Sequence, residues 1–159
     1  MRTDTHKSKS QIMLVVEDSP EDYYAVRRGL DNAGYANSIV RCESGEEALD
    51  YLRGQGRYVN DKELRKPDLI LLDLNLPGLS GGEVLEFIKT DASLYKIPVV
   101  VISTSGDPDD IEQSYAKGAN CYMRKSLHEE KIMQDMQLLN DYWFGAVILP
   151  NQQPRHLEQ

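Results

Sequence analysis

The residues of this chain that could do chemistry stand where apolar runs break off. "QIMLVV" ends in Glu17-Asp18, "PDLILL" in Asp73, "IPVVVI" in Ser103-Thr104, and "NCYM" leads into Arg124-Lys125. Burying an unpaired charge costs several kcal/mol, so an acid at the end of a buried run needs a partner, a metal or an open site. Glu17, Asp18 and Asp73, converging on one edge, would repel one another unless a divalent cation sat among them. Their oxygen donors suit a hard cation such as Mg²⁺. Lys125 adds a point positive charge and Ser103 a hydroxyl. Together these groups suit a phosphoryl group, whose oxygens need a metal, a cation and donors to spread their charge. A carboxylate placed there can also take up phosphorus as a nucleophile, and Asp73, on the central run, is the expected acceptor. A single acid at a strand end is ordinarily a solvated end or a helix cap. The spaced combination is what points to a site.

Alternation of two kinds of segment positions these residues. The apolar runs have the unbroken character of strands covered on both faces. Between them lie helices with signed ends. Ser19 and Pro20 open one that stops near Gly34; Ser44 and Glu47 form a capping-box pattern before "GEEALDYLR", which Gly54 stops; Ser80 and Glu83 repeat the box. Asp107 and Pro108 open the fourth helix, and a fifth follows Ser126 with Ile132, Met136, Leu139 and Trp143 as its inner stripe. With the shorter runs "NSIVRC" and "NCYM", this makes five βα units, hence an α/β fold: a five-stranded parallel sheet with helices on both faces. In such sheets the site lies beyond the carboxyl ends of the strands. Residues 54–66, few of them apolar, read as a long solvated surface connection.

Composition narrows the function classes. A length of 159 residues suits one domain with short tails: a polar tail over 1–10, the domain over 11–144 and an extension over 145–159. A net charge of −8 without a basic cluster argues against nucleic acid. No apolar run approaches the roughly 20 residues that cross a bilayer, and "MRTDTHKSKS" lacks the apolar core of a signal peptide, so no membrane association and a cytoplasmic location are expected. Cys42 and Cys121, far apart and each in a strand, read as buried inert thiols. His6, His128 and His156 are scattered and form no catalytic or metal set. Neither GxxxxGK[ST] nor GxGxxG occurs, which removes support for nucleotide binding.

The stretches "VVEDSPED", "DLILLDLNLPGLSGGEVL", "IPVVVIST" and "GANCYMRKS" resemble the receiver domain of two-component response regulators over roughly Ile12 to Trp143. The resemblance implies a flavodoxin-like (βα)5 fold. It also implies that Glu17 and Asp18 hold Mg²⁺, that Asp73 is the phosphoacceptor and that the backbone carbonyl of Asn75 is a further metal ligand. Ser103 matches the hydroxyl that bonds the phosphoryl group, Lys125 the strand-five lysine, and Tyr122 the aromatic switch that turns inward when that hydroxyl moves. One departure is Ser126, where the family usually has a proline, often with a cis bond; here a cis bond is not assumed, and Ser126 is available as a helix cap. The long 54–66 connection and the ending "NDYWFGAVILP" look similar to single-domain regulators that partner bacterial phytochromes.

The resemblance thus implies a switch rather than an enzyme with an external substrate: a sensor histidine kinase, of the bacteriophytochrome type, donates a phosphoryl group to Asp73, and the chain catalyses only its own phosphorylation and dephosphorylation. The stretch after Trp143 is too short for an independently folding output unit, so output is expected through contact with another protein. Tyr142 to Pro150 is apolar enough to lie across a second copy, giving a homodimer, or to fold back onto its own domain. Two other classes compete. An Asp-nucleophile phosphatase wants a second acid two residues after Asp73 as proton donor, and Asn75 cannot serve. A receiver-like interaction module that never becomes phosphorylated is the remaining alternative.

Overall fold

A computed structural model describes residues 10–150. The tails beyond them, with His6 and His156, lie outside the described residues. The strands are β1 (Ile12–Val16), β2 (Ser38–Cys42), β3 (Leu69–Asp73), β4 (Val99–Ser103) and β5 (Cys121–Arg124). Five helices follow them in turn: α1 (Pro20–Asn32), α2 (Gly45–Arg53), α3 (Gly81–Thr90), α4 (Pro108–Ala116) and α5 (Glu129–Asp141). All strand pairs are parallel, in the order β2-β1-β3-β4-β5.

The period-2 geometry of a strand explains why β1, β3 and β4 are apolar at nearly every position. Met13, Val15, Leu69, Leu71, Val100 and Ile102 face one core with Tyr23, Val26 and Leu30 of α1 and Met136 and Leu139 of α5. Leu14, Val16, Ile70, Leu72, Val99 and Val101 face the other, with Ala48, Tyr51 and Leu52 of α2 and Val84, Leu85 and Ile88 of α3. The edge strands β2 and β5 are only partly covered. α4 buries no apolar side chain; Ser114 is its one buried residue, its hydroxyl turned back to the Asp110 carbonyl.

The helix starts follow the capping chemistry. Ser19, Ser44 and Ser80 accept the N–H groups of Asp22, Glu47 and Glu83. The Ser80–Glu83 box is complete. The Ser44–Glu47 box is not, because the Glu47 carboxylate takes the Glu43 N–H and the Tyr58 hydroxyl instead. Ser126 does not cap α5: His128 holds that position without a side-chain bond, and the Ser126 hydroxyl accepts the His128 N–H inside the preceding loop. No peptide bond among the described residues is cis, so Lys125–Ser126 is trans.

Two surface expectations also change. The 54–66 connection is more than a solvated loop: it turns through a 3₁₀ helix at Gly56–Tyr58, and Tyr58 and Leu64 pack on the α2/α3 core. Cys42 is buried as expected, but Cys121, on an edge strand, is only half-buried. After α5 the chain makes a π turn at Tyr142–Ala146, from which Trp143 and Phe144 pack on the α1/α5 core and Phe144 meets Tyr35 edge-on. Leu149 is fully buried, whereas Tyr142 and Ile148 remain exposed.

Candidate functional site

The sheet register puts the chemical residues on one edge. Val16 pairs with Leu72, Asp73 with Ile102 and Ser103 with Arg124, so Glu17, Asp73, Ser103 and Lys125 sit at or just past neighbouring strand ends. The order of winding reverses between β1 and β3, the place where sheets of this kind form their sites.

Lys125 joins the cluster together. Its ammonium donates to Glu17 Oε2 at 2.7 Å, Asp22 Oδ2 at 2.9 Å and Asp73 Oδ2 at 2.9 Å. The Glu17 and Asp73 side chains are only 2% and 4% exposed. Burial alone pulls the Lys125 ammonium down, but hydrogen bonds to the three acids outweigh it and hold its pKa well above the ordinary value. The second oxygen of Asp73, Oδ1, accepts the Asn75 N–H at 3.0 Å. The Asn75 side-chain amide in turn donates to Ser103 Oγ at 3.3 Å, and Ser105 donates its backbone N–H to the same hydroxyl at 3.2 Å. Tyr122 already lies inward: its ring packs on the α2/α3 core and its hydroxyl donates to the Ser105 carbonyl at 2.8 Å. The structure thus brings together Glu17, Asp18, Asp73, Asn75, Ser103 and Lys125, with Tyr122 two hydrogen bonds from the Ser103 hydroxyl through Ser105.

Three groups in or beside the cluster carry weaker sequence signals. Asp22 reads as a first-turn helix acid, yet α1 aims it at Lys125. Arg41 donates to the backbone carbonyls of Glu17 and Asp18 and covers the Tyr23 ring, so β2 pins the acidic turn. Its position in "IVRC", one residue before the end of an edge strand, is the only local clue. Gly81 closes the other side: a Cβ there would lie 2.0 Å from the Asp73 carbonyl oxygen, so only glycine lets α3 start against the strand end.

A divalent cation fits these donors. One oxygen from each of Glu17, Asp18 and Asp73 lies within 4.8 Å of the others, two of the acids buried and Asp18 exposed toward solvent. Three carboxylates, Glu17, Asp22 and Asp73, share the Lys125 ammonium, and Glu17 shows the strain of burial there. Burial raises its carboxyl from the ordinary 4.5 to about 7; hydrogen bonding to Lys125 opposes this and the Asp73 charge adds to it. Such a site takes a hard cation with oxygen ligands, as Mg²⁺ is.

The Glu17 shift has a measurable sign. A carboxyl with a raised folded pKa contributes stability that is complete below about 4.5 and lost as pH rises through about 7. In Mg²⁺-free buffer the stability difference between the parent and Glu17→Gln is therefore expected to fall, to the parent's disadvantage, across that window, by a few kcal/mol. Saturating Mg²⁺ is expected to flatten the slope, because the cation favours the ionised acid. Thermal melts at several pH values, with and without Mg²⁺, measure both; a pH-independent difference without Mg²⁺ would refute the assignment.

Comparison with known proteins agrees with this geometry. Residues 13–137 match the family model described as response regulator receiver domain, and the chain belongs to that family. Within the family it is similar to phytochrome response regulators. It is 38% identical to the response regulator Rcp1 of Synechocystis sp. over 140 residues, covering 88% of this chain and 93% of Rcp1. The crystal structure of the phosphorylated cyanobacterial phytochrome response regulator RcpA superposes with a TM-score of 0.82 at 40% identity, covering 89% of this chain and 99% of RcpA. The Mn²⁺-bound form of Rcp1 gives 0.81 at 38%, covering 88% and 99%. Among the described residues no helix is long and apolar enough to cross a membrane.

Proposed function

We propose that this chain is a phosphorylation switch, a regulator of the single-domain type in which Asp73 accepts a phosphoryl group from the phosphohistidine of a bacteriophytochrome-type sensor kinase. The observation that carries this reading is the joining of Glu17 and Asp73 by Lys125 at the reversal point of the sheet. A carboxylate oxygen of Asp73 attacks phosphorus in line, the P–N bond breaks, and its electron pair returns to the imidazole nitrogen. Glu17, Asp18 and the Asn75 carbonyl hold Mg²⁺, which when bound stabilises charge on the phosphoryl oxygens. Lys125 neutralises a further oxygen, and the Asn75 N–H keeps the Asp73 carboxylate aimed. Water later cleaves the acyl phosphate to release phosphate. The chain acts on no other substrate.

The switch follows the hydrogen bonds already described. The acyl phosphate carries a charge of about −2 where the carboxylate carried about −1, and it draws the Ser103 hydroxyl toward it. That competes with the Ser105 N–H, whose residue also holds Tyr122, so the disturbance reaches the face of α4, β5 and α5. This face is the output surface toward a further protein. The exposed Leu138, Tyr142 and Ile148 support a homodimer built on α5 and the extension from 145 onward, while Trp143, Phe144 and Leu149 stay with their own domain. This reading also puts the chain in the cytoplasm, where a kinase of that type would have to meet it.

Incubation with Mg²⁺ and acetyl phosphate, followed by intact mass measurement, is expected to show one phosphoryl group per chain that disappears on removal of donor. A parent protein that gains none from acetyl phosphate or from a phytochrome kinase would favour the phosphorylation-independent interaction module instead.

A further inference from the structure

We infer that Glu46, in the first turn of α2, is a positioning residue for the phosphoacceptor loop: its carboxylate fixes the 74–80 segment that presents Asn75 beside Asp73. This rests on the proposed function. Glu46 Oε1 accepts the Leu79 N–H at 2.8 Å. The remaining backbone bonds described for that segment are made within the β3–α3 unit: Asn75 N–H to Asp73, Ser80 N–H to Glu83, and Gly81 N–H to the Leu74 carbonyl. Glu46 reaches in from α2, 33 positions away in sequence.

Two close approaches show that the contact is fitted. A Cβ on Gly45 would lie 2.6 Å from the Leu79 carbonyl oxygen, so α2 begins directly against the loop backbone. Gly78 has φ +71°, and a Cβ there would meet Glu46 Oε1 at 2.7 Å. The loop turns through a conformation that suits glycine and does so around this carboxylate. Glu46 is exposed, so core packing does not require it. The Leu79 N–H also draws the Glu46 carboxyl below the ordinary carboxylate range.

A bland role competes, since an acid in the first turn of a helix also favours the helix dipole. Substitutions separate the two. Gln keeps the Oε1 acceptor at the same reach without the charge, whereas Asp keeps the charge but withdraws the oxygen. Glu46→Ala and Glu46→Asp are each expected to weaken Mg²⁺ binding, measured by calorimetry, and slow phosphoryl uptake from acetyl phosphate by about fivefold. Glu46→Gln is expected to stay near the parent in both. The Leu79 amide proton resonance should shift in the Ala and Asp variants and hold its place in Gln. Ala binding and reacting like the parent overturns the inference, as does Gln failing along with Ala, which would assign the effect to charge. Calorimetry reads Mg²⁺ whether or not a phosphoryl group is accepted. A parent that binds Mg²⁺ yet stays unphosphorylated therefore counts against the proposed function, and the Ala-against-Gln comparison still decides the role of Glu46.

Discussion

Asp73→Asn is expected to take up no phosphoryl group, at less than about a thousandth of the parent rate, while remaining folded and as stable as the parent or more so. The loss follows from chemistry: an amide oxygen is a poor nucleophile, and no second carboxylate in the cluster has the same position. Glu17 is engaged by Lys125 and Ser19, Asp22 is on a helix, and Asp18 is exposed. The retained stability follows from geometry. Asn keeps an oxygen for the Asn75 N–H, and Lys125 keeps Glu17 and Asp22. Removing the Asp73 charge also relieves one of the influences that raise Glu17. Intact mass with acetyl phosphate and thermal melting test the two halves separately. An Asn variant phosphorylated to the parent's level would move the acceptor elsewhere in the chain.

Lys125→Met is expected to cost about 3 kcal/mol of stability in Mg²⁺-free buffer, because it leaves Glu17 and Asp73 buried side by side with their shared cation gone. Methionine matches the stem of the lysine, so lost packing contributes little. Two effects limit the cost. Glu17, already raised to about 7 with Lys125 pulling it down, goes higher still without the lysine and can take up a proton, and the loss should therefore shrink as pH falls toward 7 from above. Mg²⁺ bound by the acids replaces the missing charge, so the gap between parent and variant should narrow when it is added. Urea unfolding with and without Mg²⁺ at pH 8 measures both. A variant as stable as the parent without Mg²⁺ would show that the Lys125 ion pairs contribute nothing to the fold.

The fold was legible because each βα unit carries its own local signals. Strands covered on both faces need apolar side chains in both directions, and the helices between them start at Ser or Asp with donors to satisfy. The chemical residues were legible for a related reason: they stand where those strands end. What stayed hidden depends on pairings between distant segments. Nothing local in Asp22, Arg41 or Glu46 says that the first two reach the acidic cluster and the third the loop after Asp73, since their partners lie 103, 24 and 33 positions away. The same holds for Glu47, which exchanges half of an expected capping box for Tyr58, and for the tail, where Leu149 is buried and Ile148 is not. The helix start at His128 instead of Ser126 is a smaller miss: the serine does bond a backbone N–H, but within the loop rather than at the cap.

α4 lacks any buried apolar side chain, and that has an energetic consequence. Sliding or opening it takes no apolar side chain of its own out of a core, whereas moving α1, α2, α3 or α5 would. The opening free energy of α4 is therefore expected at the low end of the range across the molecule, short of global unfolding. A chemical event at Asp73 would have only a modest free energy to spend on rearrangement, and the helix with the least buried hydrocarbon is the element that such an amount is expected to move.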